Sequence, residues 1–276
     1  MGAISALSTT GRTLKRNGVL FAAAFVIMLV SLIPSGISAV LPPAAAALAS
    51  MVGSGLSLLL TPFFTGGILS MAYEGLDGTT GFDTFVSGGK DNYVRLLGSM
   101  LLFSVLISII GFTVLVVGAV IAIFVVGTGV SGAEQALTVS GGNFAILVVV
   151  GLLGALAFLL PVLFFQFYAP AIVVSDLDIG AAFKRSALLV RRNFVSTLGY
   201  LVVAVLVGLV SGISGIGVSV VAGGGFAETT NAAGPELSLG LLAIVAVLVA
   251  VVSTVVSAFG SVYQVAFYDD CLDSVA

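Results

Sequence analysis

Six long apolar runs, at about 18–41, 52–73, 96–126, 143–174, 196–221 and 237–268, alternate with short polar segments along the chain. Each is about twenty residues or more, enough to cross a hydrocarbon core of about 30 Å as a helix. None alternates apolar and polar positions in the short period of a membrane β-barrel. The pattern predicts an all-α polytopic membrane bundle of about six transmembrane helices. The third, fourth and sixth runs are longer than one crossing needs, so tilt, proline kinks or protrusion are expected. Leu41-Pro42-Pro43 closes the first run, residues 44–50 read as an Ala-rich turn, and Pro62, Pro161 and Pro170 fall inside later runs. The basic start followed by an apolar stretch has the layout of a signal peptide. The run is too long for that, and Ile37 stands where a cleavage site needs a small residue, so an uncleaved first helix is expected.

Charge is distributed unevenly between the two sides of such a bundle. Counting alternate segments, residues 1–17, 74–95, 176–195 and the C-terminal tail share one side. They carry all nine Lys and Arg, while the segments 42–51, 127–142 and 222–236 carry none. The positive-inside rule then places both termini in the cytoplasm of a multi-pass protein of the cell membrane. No Asp, Glu, Lys or Arg falls in the middle of any run.

The polar segments before the first, third and fifth runs also share a pattern. With Asn17, Asn92 and Asn193 aligned, Leu7, Phe82 and Phe183 stand ten residues earlier. Lys15, Lys90 and Arg191 stand two earlier, and Val19, Val94 and Val195 two later. The ends of the second and sixth runs, Tyr73-Glu74-Gly75-Leu76-Asp77 and Tyr268-Asp269-Asp270-Cys271-Leu272-Asp273, also resemble one another, with Ser175-Asp176-Leu177-Asp178 a looser copy. The simplest account is a single integral membrane domain, 1–276, of three parallel helical hairpins. Its approximate repeats are 1–75, 76–178 and 179–276.

The fullest entry segment is 179–195. Ile179, Ala182, Phe183, Ser186, Leu189, Val190 and Phe194 recur at three- and four-residue steps, which predicts an amphipathic helix in the membrane interface. Lys184 and Arg191, and Arg185 and Arg192, are each seven residues apart, so the basic groups stack on one side. They can fix topology and snorkel, or contact an anionic lipid headgroup or a partner.

Composition sharpens this picture mainly by exclusion. Of 276 residues 59% are hydrophobic and only 8% charged, against about 25% charged in a soluble domain. There is no His, so the commonest general base and metal ligand are missing, and the single Cys271 excludes an internal disulfide. The pI of about 4.7 and the three lysines suggest an acid-rich, archaeal halophile setting.

The candidate sites follow. Gly127-Thr128-Gly129-Val130-Ser131-Gly132 matches G-x-G-x-x-G but lacks the strand and helix a nucleotide site needs, so it reads as a loop. Gln166 and Gln264, near the cytoplasmic ends of the fourth and sixth runs, are candidate intramembrane polar contacts, by interhelical hydrogen bonds or by substrate contact. Small residues at helical spacing (Gly208 and Gly212; Ser104, Ser108 and Gly111; Ser253, Ser257 and Ser261) read as close helix packing, with pore lining the alternative. The acidic pairs Asp176/Asp178 and Asp269/Asp270 with Asp273 read as solvated or paired carboxylates rather than a metal site. No catalytic, cofactor or metal residue is expected.

Gln166, Pro170, the acidic turn at Asp176 and Asp178, Ala182 with Ser186, and Asn193 together resemble uncharacterised six-helix membrane proteins common in haloarchaea. That group resembles the membrane domain associated with some glycerophosphodiester phosphodiesterases. The resemblance implies a membrane domain and carries over no catalytic residue. The phosphodiesterase activity belongs to a separate soluble domain and uses histidines, which this chain does not have. The expected function is a non-enzymatic scaffold, assembly or lipid-interacting role. Membrane lipids and a membrane or cytoplasmic protein are the expected partners, with no nucleic acid and no cofactor. The alternative is a transporter or channel component for an apolar or lipid-like substrate, since the absence of intramembrane charge argues against ion coupling.

Overall fold

The computed structural model describes residues 2–39, 41–127, 141–221 and 239–272. These form ten α-helices: α1 Gly2–Arg16, α2 Val19–Ala39, α3 Pro43–Asp77, α4 Phe82–Asp91, α5 Tyr93–Gly127, α6 Gly141–Phe165, α7 Tyr168–Ser175, α8 Ile179–Arg192, α9 Phe194–Val221 and α10 Leu239–Asp270. No strand occurs among the described residues, and the chain is an all-α polytopic helical bundle. Five helical stretches are long and apolar enough to cross a membrane: Pro43–Asp77, Tyr93–Phe124, Ala145–Ser175, Phe194–Gly212 and Ile244–Asp270. A sixth follows if α1 and α2, bent by 89° at their junction, count together.

One expectation about the helix boundaries fails. Residues 44–50 are not a turn but the first two turns of α3. Pro43 sits at the helix start, where its missing N–H costs nothing, and alanine is the strongest helix former. The break between α6 and α7 has the opposite cause. Pro170 lacks an N–H and its ring crowds the carbonyl four residues back, that of Gln166, so the helix stops at Phe165 and restarts at Tyr168. The freed N–H of Phe167 donates to Ser186 Oγ of α8 at 3.1 Å.

The helices fall into two units, Met1–Leu97 with Phe167–Ala276, and Gly98–Gln166. In the first, α10 is the central helix and touches α1, α2, α3, α7 and α9. Its last turns carry the densest part of the core. Phe167, Tyr200, Tyr263 and Phe267 pack ring on ring with centroids 4.8–5.3 Å apart. Such ring pairings contribute about 0.5–1.5 kcal/mol each beyond burial.

Helix α4 lies on α3 through facing glycine pairs. A Cβ on Gly66 would meet the Gly88 carbonyl at 2.9 Å, one on Gly67 the Phe85 carbonyl at 2.6 Å, and one on Gly89 the Phe63 carbonyl at 2.8 Å. Backbone touches backbone, as at small-residue contacts between membrane helices. The stripes picked out in the sequence behave differently. Among the described residues, nothing lies within 4 Å of a Cβ position on Gly111, Gly208 or Gly212.

Asn17, Asn92 and Asn193 each stand at a break between a short helix and a long one. Each Nδ2 donates to the carbonyl four residues earlier: Thr13 at 3.2 Å, Gly88 at 3.0 Å and Leu189 at 3.2 Å. Each backbone N–H turns to the same carbonyl. The side chain thus completes the last turn of the shorter helix at each break.

In the second unit, Val114 of α5 presses on Gly154 of α6, where a Cβ would lie 2.7 Å from it. An apolar cavity of about 270 Å³ lies between these two helices, lined by Val117, Ile121, Val150 and Leu153 among others.

Candidate functional site

The basic residues singled out in the sequence lie on α8. Its buried face is Ala182, Ser186, Leu189 and Val190, set by α7 and the start of α9. Lys184, Arg191 and Arg192 are exposed and Arg185 is half-buried. Among the described residues no hydrogen bond or ion pair engages Lys184 or Arg191. Arg185 is close enough to act electrostatically on the Tyr268 hydroxyl of α10.

Other basic groups are committed to the fold. Arg16 Nη2 donates to the Gly75 and Leu76 carbonyls at the end of α3, at 2.7 and 3.0 Å. A cation here also meets the negative end of the helix dipole. Arg95 pairs with Asp176 at 2.6 Å and donates to Asn92 Oδ1 at 3.2 Å. Asn17 accepts the Thr80 N–H at 3.0 Å and donates to the Gly75 and Gly78 carbonyls. The entry segments of α2 and α5 are therefore tied to the turns after α3 and α7.

Two of the acidic residues singled out in the sequence, Asp176 and Asp270, are engaged by protein groups, while Asp178 caps α8 without a side-chain hydrogen bond. Asp176, with φ 50° in the left-handed region that aspartate tolerates, holds Arg95. Asp270 accepts a hydrogen bond from the Ser5 hydroxyl. Among the described residues no group of three or more His, Cys, Asp or Glu is placed to hold a metal. Asp273 lies outside the described residues, as do Glu134, Glu228, Glu236 and all of the glycine motif after Gly127. Cys271 is buried, and that burial, with Asp270 beside it second, pushes its thiol up to about 11.

A second feature lies between α2, α3 and α10. A groove of about 370 Å³ has Ile68 and Leu69 as its floor, with Ser31, Thr61, Thr65, Ser257, Ser261 and Gln264 around it. Ser31, Thr61 and Ser257 are exposed at its mouth. The volume is within the range of small-molecule sites. Gln264 was singled out from the sequence, and Ser257 and Ser261 were read there as packing residues. Ser31, Thr61 and Thr65 were missed, and the only signal for them is an isolated hydroxyl in an otherwise apolar run. Gln166 is placed elsewhere, half-buried in the short link between α6 and α7.

No curated protein and no solved structure matches the chain. A family model described as a domain of unknown function (DUF7847) matches residues 1–271. That match carries no activity, and it extends the family's signature across both units and all ten helices. This chain, a multi-pass membrane protein by its spanning helices, thus belongs to the DUF7847 family.

Proposed function

We propose that this is a non-enzymatic protein of the cell membrane with both termini in the cytoplasm, and that it organises anionic lipid or a partner at the inner leaflet. The chain is read as three tandem hairpins, 1–75, 76–178 and 179–276. Each is entered through an amphipathic interface helix: α1, α4 and α8. The equivalent hydrogen bonds of Asn17, Asn92 and Asn193 support the repeat. All nine basic residues fall on or beside these entry helices, which supports the orientation. The observation that carries the lipid reading is the exposed basic face of α8, where Lys184 and Arg191 stand opposite the buried Ala182, Ser186, Leu189 and Val190. Each such charge near an anionic leaflet contributes about 1 kcal/mol of attraction. The likeness to phosphodiesterase-associated membrane domains supports a membrane-domain role and no enzymatic one.

The test uses the full chain, released from mixed phosphatidylglycerol and phosphatidylcholine and examined by native mass spectrometry. The intact protein should retain phosphatidylglycerol preferentially. A variant with Lys184, Arg185, Arg191 and Arg192 changed to Gln should lose that preference. Equal retention by both proteins would reduce these residues to topology signals.

A second reading, a transporter or channel component for a lipid-like substrate, is favoured by the groove between α2, α3 and α10. It opens among spanning helices and holds no charged side chain.

A further inference from the structure

Three hydroxyls around the groove between α2, α3 and α10 turn their protons away from it, while Thr65, Ser257 and Gln264 line it as further polar groups. Ser31 Oγ donates to the Ile27 carbonyl at 2.8 Å, Thr61 Oγ1 to the Ser57 carbonyl at 2.6 Å, and Ser261 Oγ to the Ser257 carbonyl at 2.9 Å. A hydroxyl has one proton and two lone pairs. With the proton directed back to its own helix, each of these side chains offers only acceptor capacity to the groove. Three acceptors from three different helices thus converge beside Gln264, on a floor of Ile68 and Leu69. Water could satisfy them on a soluble protein. Here α3 and α10 are long and apolar enough to cross a membrane, and α2 is apolar along its length, so hydroxyl groups between them have apolar surroundings to contend with.

In one direction the groove continues as mainly apolar surface. A smaller cavity of about 70 Å³ shares Ser31, Thr61 and Phe64 with it and is otherwise lined by Val30, Ile33, Pro34, Leu56, Ser57 and Leu60. Polar and apolar portions therefore lie end to end along α2 and α3. The lining contains no Asp, Glu, Lys or Arg, so a charged headgroup would be left unpaired at high cost. A pure hydrocarbon would leave the acceptors unused.

We infer that this groove binds a neutral, hydroxyl-headed lipid with a hydrocarbon tail. Its head donates to Ser31, Thr61 and Ser261, and its tail lies against Val30, Ile33 and Leu60. This inference deepens the second reading above by naming the ligand class, but binding stands apart from transport. It is also separate from the basic face of α8, so failure of one leaves the other intact.

The test uses the full chain in phosphatidylcholine vesicles with a photoactivatable mono-oleoylglycerol carrying a clickable tag. Its methyl ether and the matching oleic acid serve as comparisons. The alcohol should crosslink to peptides of α2, α3 and α10 about tenfold more than either comparison. Thr61→Val keeps the side-chain shape and removes an acceptor, and combined with Ser261→Ala it should lower labelling by about the same factor. Ser257→Leu, which fills the mouth, should abolish labelling whatever the headgroup. Phosphatidylglycerol retention should be unchanged in all of these variants, which reports that the fold and the α8 surface survive. Equal labelling by the alcohol and its methyl ether overturns the inference, as does full labelling of the Thr61→Val, Ser261→Ala protein.

Discussion

Replacing Asn17 with Ala tests how the first helix break is held. The side chain makes four polar contacts, with the two Nδ2 protons shared among three carbonyls. Nδ2 donates to the carbonyls of Thr13, Gly75 and Gly78 at 3.2, 3.3 and 3.1 Å, and Oδ1 accepts the Thr80 N–H at 3.0 Å. Two of these partners keep a second bond after the substitution. Thr13 retains the Asn17 N–H at 2.9 Å, and Gly75 retains Arg16 at 2.7 Å. The Gly78 carbonyl and the Thr80 N–H lose the bonds shown here. The turn has little in reserve, since the Thr80 hydroxyl is already buried without a partner. A stranded polar group costs about 1–3 kcal/mol, toward the lower end where water can reach it, as at these half-buried residues. Asn17→Ala should therefore destabilise the protein by about 2–4 kcal/mol. Asn92→Ala removes only the bond to Gly88, whose carbonyl keeps the Asn92 N–H, and the contact from Arg95. It should cost about 1 kcal/mol. Both are measured by equilibrium unfolding in detergent micelles followed by tyrosine fluorescence. An Asn17→Ala change below about 0.5 kcal/mol, or a larger loss for Asn92→Ala, would refute the reasoning.

Other consequences are as direct. Gly67→Ala places a methyl 2.6 Å from the Phe85 carbonyl, so it should cost about 1–3 kcal/mol and speed proteolysis within 82–91; Gly208→Ala, with open space around it, should change stability by less than about 0.5 kcal/mol. With its thiol raised to about 11 by burial, Cys271 should react with maleimide far more slowly at pH 7 than the same thiol in SDS, and faster as pH rises toward 11; native-state labelling at the denatured rate would show it is not buried. Asp176→Asn keeps a residue suited to φ 50° and removes only the charge facing Arg95. Because that carboxylate is 85% exposed, unfolding should shift by less than about 1 kcal/mol.

The helices were legible because apolar runs of spanning length admit few alternatives, and the three breaks because each carries an asparagine in the same local register. The α6–α7 break was legible as a proline kink expected within the fourth run, since Pro170 marks the carbonyl of Gln166 it must displace, and Ala145–Ser175 still counts as one span. The docking of α4 was not anticipated. Gly66-Gly67 and Gly88-Gly89 look like loop-forming pairs until the two helices are placed face to face. The small-residue spacing of Gly208 and Gly212 meets no close neighbour among the described residues. For the groove, the sequence shows hydroxyls on three separate runs but not which runs face one another. Gln264 was marked because an amide in a spanning helix needs partners, whereas Ser31 and Thr61 were hidden by their ability to satisfy their own protons on the preceding turn. The basic face of α8 needed only a helical wheel.

The central claim is that α1, α4 and α8 all lie on the cytoplasmic face, and single-cysteine accessibility tests it most directly. Cys271, being buried, is a poor reporter and should be changed to Ala. Cysteines are then introduced one at a time at exposed sites: Ser8 on α1, Lys90 on α4, Lys184 on α8 and Leu41 between α2 and α3. In intact cells an impermeant maleimide should label only the Leu41→Cys protein, and the other three only after permeabilisation. Labelling of Ser8→Cys, Lys90→Cys or Lys184→Cys before permeabilisation would contradict the account.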